Sequence, residues 1–194
     1  NSSLLILARK GIMKTLLITG GSSGIGLATV RLFVAKGWQV IELSRSGQSS
    51  PSVLHIPCDV TDEASVQAAV AQAMSHTNHL DVVISNAGFG ISGPIEFTSL
   101  QDAQKQFDVN FFGALRLVKA VLPILRKQRS GRILFTSSVA ADLSIPYQSF
   151  YSASKSALNA MALALANEVR SFGIRVSVLM PGDVATGFTD AREK

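Results

Sequence analysis

Six apolar runs punctuate this chain: Thr15–Thr19, Gln39–Ser44, Val53–Pro57, Asp81–Ser85, Arg132–Ser137 and Arg175–Met180. They are rich in Val, Ile and Leu and show little apolar–polar alternation. That pattern marks strands buried on both faces, as in a parallel sheet. Helical patterns lie between them at about 24–36, 62–76, 99–128 (read as two pieces) and 151–171. Asp62 and Glu63 open the second of these with acidic residues, a helix-start signal. Strands alternating with helices demand right-handed crossovers. The expected class is therefore α/β, a doubly wound parallel sheet.

The chain has 194 residues and no internal repeat or linker, so one domain is expected. Its 47% hydrophobic and 16% charged residues suit a buried core and exclude a disordered chain. The formal charge of +5 comes from scattered residues. Arg126, Lys127, Arg129 and Arg132 gather around one helix end, where cations suit the helix dipole. No nucleic-acid partner is expected from them. Cys58 is the only cysteine, which forbids an internal disulfide and fits a reducing, cytoplasmic setting. No apolar run approaches the roughly 18 residues of a membrane span. No set of metal ligands is read, and no membrane association is expected. Met13 directly precedes the first strand and is expected as the natural start. Residues 1–12 would then be an extraneous or disordered extension, and 13–194 the single domain.

The first run leads into "TGGSSGIG", Thr19 to Gly26, and then a helical pattern. The stretch fits two motifs. Gly20-Gly21-Ser22-Ser23-Gly24 matches G-x-S-x-G, the nucleophile elbow of serine hydrolases. It also reads as a glycine-rich turn whose amides face a dinucleotide's phosphates at a helix N-terminus. An elbow needs a histidine later in the chain. His55, His76 and His79 are the histidines, and none lies in the last 115 residues. The phosphate reading is therefore favoured.

The spacing Gly20-x-x-x-Gly24-x-Gly26 behind Thr19 resembles the short-chain dehydrogenase/reductase family. Further family motifs follow in order. "CDV" supplies Asp59 and Val60, "SNAG" supplies Asn86, Ala87 and Gly88, and "DVNFFG" supplies Asn110. "LFTSS" supplies Ser138, "YSASK" supplies Tyr151 and Lys155, and "PGDVAT" supplies Pro181, Gly182, Val184 and Thr186. The resemblance spans roughly 13–190 and implies a Rossmann fold with strand order 3-2-1-4-5-6. It also implies an oxidoreductase that moves hydride between a nicotinamide and a carbonyl or secondary alcohol.

Tyr151 and Lys155 are four apart and share a helix face. An unperturbed tyrosine, with a pKa near about 10, is a poor acid–base catalyst at neutrality, and a neighbouring ammonium favours its phenolate. By the resemblance, Tyr151 is the general acid/base, Ser138 bonds the reacting oxygen, and Lys155 also binds the nicotinamide ribose. Asn110 holds a water that links Lys155 to solvent. Gly20, Ser22, Ser23, Gly24, Ile25 and Gly26 would hold the phosphates, and Asp59 with Val60 the adenine edge. Asn86, Ala87 and Gly88 would line the ribose. Pro181, Gly182, Val184 and Thr186 would wrap the nicotinamide.

Cofactor choice turns on the end of the second strand, "VIELSRS". An acid there would read a ribose 2′-hydroxyl. Ser44 and Arg45 stand there instead, and an arginine suits a 2′-phosphate. NADP(H) is expected as preferred. NAD(H) stays possible through Glu42, which lies inside the strand, two residues early.

Two departures from the family pattern stand out. Ser85 replaces a usual asparagine, and the chain ends at Lys194, eight residues after Thr186. Family members commonly continue through a substrate-covering segment and one more strand, so a truncated chain lacking the last edge strand is expected. Leu143, Ile145, Tyr147 and Phe150 are expected to form an apolar substrate wall. The surplus of apolar residues on the helices at 108–128 and 151–171 points to a homodimer or homotetramer. A dinucleotide-binding interaction module without catalysis is the alternative function.

Overall fold

Each of the six apolar runs becomes a strand. The computed structural model describes residues 13–184. The strands are β1 (Thr15–Thr19), β2 (Gln39–Ser44), β3 (Val53–Pro57), β4 (Val82–Ser85), β5 (Gly131–Thr136) and β6 (Ile174–Leu179). All named pairs are parallel, in the order β3-β2-β1-β4-β5-β6. The expected doubly wound Rossmann sheet is thus present, with β6 its last strand among the described residues. The expectations for residues 1–12 and for Thr186 lie outside the described residues.

The helices are α1 (Gly24–Ala35), α2 (Glu63–His76), α3 (Leu100–Phe107), α4 (Gly113–Gln128) and α5 (Ser149–Glu168). Asp62 is the N-cap of α2, its side chain accepting from the Ala64 amide. The stretch expected as two helical pieces is α3 and α4, joined by a turn of π-helix over Asp108–Phe112. The last helix begins two residues earlier than the sequence pattern suggested and ends before a separate 3₁₀ turn at Arg170–Phe172. Pro123 lies within the single helix α4.

Alternate residues of β1 serve opposite faces of the sheet, as the strand period requires. Leu17 packs with Ile41, Leu43, Val83 and Phe135 against α2, α4 and α5. Leu16 and Ile18 pack with Val40, Ile84 and Val30 of α1 on the other face. Asp81 pins the start of the sheet: its Oδ2 accepts from the Thr15 amide at 2.8 Å. Among the described residues, no helix is long and apolar enough to cross a membrane.

Candidate active site

Parallel strands place all their carboxyl ends along one edge, and ligands of such sheets sit in the crevice there. Here the turns after β1, β2, β4, β5 and β6 line one cleft with the first turns of α1 and α5.

The turn after β1 is built for close backbone approach. Gly20 has φ +66, a left-handed conformation that a side chain resists. A Cβ on Gly26 would collide with the Gly20 carbonyl and lie 2.6 Å from Asn86 Nδ2. Asn86 in turn donates from Nδ2 to the Gly20 carbonyl at 2.9 Å. The Thr19 hydroxyl accepts from the amides of Asn86 and Ala87 at 3.1 and 3.2 Å. The turns after β1 and β4 are therefore one bonded unit. Ser23 is the N-cap of α1, yet its side chain makes no capping bond, and no acid stands in the first helical turn. Ser22 and Ser23 are exposed beside that positive helix end.

The hydrolase alternative loses its base here. His55 is held by Glu42, with Nδ1 2.6 Å from Oε2. His76 ends α2 and His79 precedes β4, at the amino ends of the strands, away from the turn.

Around the second strand, the Ser44 hydroxyl lies 3.1 Å from Glu42 Oε2 and 2.8 Å from the Ser46 carbonyl, while Arg45 is exposed. Asp59 Oδ1 accepts from the Thr61 amide and hydroxyl at 2.9 and 2.7 Å. Those bonds, aided by Arg45, hold its carboxyl below the usual range. Val60 packs beside Gly113, and its carbonyl accepts from Arg116.

Asn110 sits in the π-turn, 1% exposed. π-turns inside helices recur at functional sites. Its Oδ1 accepts from the Phe89 amide at 3.0 Å, and Nδ2 donates to the Phe89 carbonyl and to Ser154 Oγ at 3.0 and 3.1 Å. Gly88 adjoins both Asn110 and Lys155: a Cβ there would lie 3.1 Å from Oδ1 and 3.5 Å from Nζ.

Ser138 lies two residues past β5 as the N-cap of a 3₁₀ turn over Val139–Ala141, and its Oγ accepts from the Ala140 amide at 3.1 Å. Ser137 is turned inward, its hydroxyl directed at the Lys155 carbonyl. Tyr151 lies in the first turn of α5, and Lys155 one turn on. Lys155 is 5% exposed, its Nζ donates to the Thr136 carbonyl at 2.8 Å, and it lies 5.8 Å from the Tyr151 ring centroid. Burial lowers its pKa from 10.5 to about 8. Pro181 accepts from the Val139 amide at 3.0 Å, which brings the segment after β6 onto Ser138. Gly182 and Val184 line the same cleft.

The short chain dehydrogenase family model matches residues 14–194. The chain belongs to that family. This dehydrogenase-family chain is 44% identical over 178 residues to the 3-ketodihydrosphingosine reductase of Bacteroides thetaiotaomicron, covering 91% of this chain and 66% of that one. It thus spans just under two thirds of that relative's length. A 3-ketoacyl-(acyl-carrier-protein) reductase from Brucella melitensis, complexed with NADH, superposes with a TM-score of 0.88 at 26% identity. That match covers 92% of this chain and 79% of that one. ElxO with NADP bound gives 0.87 at 27% identity, covering 90% and 75%.

The sequence missed some of the site's scaffolding. Thr136 offers Lys155 its main-chain oxygen, which no side-chain pattern reveals. Of the expected apolar wall, Ile145 and Phe150 line the cleft. Leu143 and Tyr147 are 70% and 66% exposed. Tyr147 has φ +65, and its carbonyl accepts from the Gly93 amide.

Proposed function

We propose that this chain is part of an NADP(H)-dependent oxidoreductase that interconverts a carbonyl and a secondary alcohol. The observation that carries the reading is that Ser138, Tyr151 and Lys155 line the same cleft as the Gly20–Gly26 turn. That turn fits a dinucleotide. Its glycines leave no room for side chains, its helix end carries no acid, and two exposed serines stand beside it.

The nicotinamide would supply or accept the hydride. Tyr151 donates a proton to the substrate oxygen during reduction and takes one during oxidation. With a pKa of about 8, Lys155 is a cation at neutrality and favours the Tyr151 phenolate. Ser138 Oγ already accepts from Ala140, so its proton is available to bond the reacting oxygen. Both Nδ2 hydrogens of Asn110 are engaged, so its part in a water relay to Lys155 falls to the second lone pair of Oδ1.

Gly20, Ser22, Ser23, Gly24, Ile25 and Gly26 take the phosphates, with Asn86, Ala87 and Gly88 at the ribose and Asp59 with Val60 at the adenine. Pro181, Gly182 and Val184 take the nicotinamide. The likeness to ElxO, whose structure has NADP bound, and the exposed Arg45 support the NADP(H) preference. The 3-ketodihydrosphingosine reductase likeness puts 3-oxo lipids first among substrates to try, ahead of other ketones and aldehydes. The exposed Leu163 on α5, 68% accessible, supports a homodimer or homotetramer, and lone Cys58 supports a cytoplasmic setting. A screen of NADPH oxidation over 3-oxoacyl thioesters, ketones and aldehydes tests the reading. Tight NADPH binding without turnover on any of them would favour the non-catalytic binding module instead.

A further inference from the structure

The mechanism leaves one buried acid unused. Glu42 is 3% exposed in the middle of β2, where its register partners are Ile18 and His55. Three groups converge on its carboxylate. The Gly21 amide donates to Oε1 at 2.9 Å, His55 Nδ1 donates to Oε2 at 2.6 Å, and the Ser44 oxygen, which carries one proton and is also 2.8 Å from the Ser46 carbonyl, lies 3.1 Å from Oε2. The turn after β2 closes over this cluster: a Cβ on Gly47 would lie 2.6 Å from His55 Nδ1 and 2.8 Å from Glu42 Oε2. Glu42 also lines the cleft with Ser44 and Arg45.

A carboxylate at this place has two possible effects on a dinucleotide. Left free, Oε2 would accept from a ribose 2′-hydroxyl and repel a 2′-phosphate. Bound by His55 at 2.6 Å with the Ser44 oxygen packed beside it, Oε2 has little room left for a 2′-hydroxyl, and the imidazole N–H dipole partly offsets its charge. Oε1 meanwhile fixes the Gly21 amide of the phosphate turn.

We propose that His55 masks Glu42 and thereby sets the cofactor selectivity of this chain toward the 2′-phosphorylated dinucleotide, with Glu42 positioning the phosphate turn through Gly21. His55 acts through Glu42 and is a positioning residue. The proposal rests on the dinucleotide reading of the cleft.

The test is the ratio of dissociation constants for NADH and NADPH, read by equilibrium fluorescence titration without substrate. In the unaltered chain the ratio favours NADPH. His55→Leu lowers that preference at least about tenfold, and His55→Asn, whose amide can replace Nδ1 as donor, keeps it within about threefold. Glu42→Gln alone moves the preference the other way or not at all. The double variant Glu42→Gln/His55→Leu keeps the ratio of Glu42→Gln alone, because the charge that His55 masks is gone. A structural role for His55 would weaken both dinucleotides alike and would not cancel in the double variant. His55→Phe, which fills the same space without a donor, gives the same reading should His55→Leu fail to fold. An unchanged ratio in His55→Leu, or a loss that persists in the double variant, overturns the proposal. Failure of the unaltered chain to bind either dinucleotide overturns the cofactor reading itself, and this proposal with it.

Discussion

Lys155 Nζ donates a 2.8 Å hydrogen bond to the main-chain oxygen of Thr136, the last residue of β5. The bond ties the helix that carries Tyr151 to the strand that leads into Ser138. One side chain thereby fixes the spacing of both groups that would face a reacting oxygen. It also holds an ammonium where burial lowers its pKa to about 8.

That lowered pKa has a stability consequence. Between about pH 8 and the ordinary 10.5, the unfolded chain holds the Lys155 proton more tightly than the folded one. The lysine's contribution to folding therefore improves as pH rises through that window, and below pH 8 the buried charge costs its full penalty. Urea unfolding of the parent and of Lys155→Met should diverge across the window. The parent gains on the order of 3 kcal/mol relative to the variant. Parallel pH profiles would contradict the burial argument.

Asn110 is worth more as a brace than its size suggests. Asn110→Ala removes three hydrogen bonds and strips the Phe89 amide of its side-chain acceptor. A loss of about 2–4 kcal/mol is expected. Thermal unfolding should show it as a fall of about 5–10 °C. A melting temperature within 1 °C (about 0.3 kcal/mol) of the parent would show that the π-turn holds without the amide.

Gly26→Ala places a methyl group against the Gly20 carbonyl and Asn86 Nδ2. The turn must open to admit it, so NADPH affinity should fall at least about 30-fold by calorimetry. Affinity within about threefold of the parent would remove the turn from the proposed phosphate site.

Arg45→Ala should weaken NADPH about tenfold and leave NADH within about twofold, since a charge-assisted bond to phosphate is worth roughly 1.5–3 kcal/mol. Raising the salt concentration should narrow the difference in the parent. NADH binding more tightly than NADPH to the parent would reverse the cofactor assignment.

The strands were legible because burial on both faces writes itself as continuous Val, Ile and Leu. β1, β2 and β3 begin and end where the apolar runs do. The glycine turn was legible because its backbone geometry restricts residue type. Glu42 was not. In the sequence it looks like an acid two residues early for a ribose. Only strand pairing sets it opposite His55 and beneath Gly21, and such partners lie 13 and 21 residues away. The π-turn at Asn110 was equally hidden, since a one-residue bulge leaves the helical pattern on either side almost intact.

The central claim is that Tyr151 moves the proton. The direct measurement is turnover of Tyr151→Phe with NADPH and the best carbonyl substrate, set beside its NADPH dissociation constant. Proton transfer by a positioned side chain contributes about 10²–10⁴-fold. The account predicts a kcat at least about 100-fold lower, with NADPH affinity within about threefold of the parent. An unchanged kcat would contradict it.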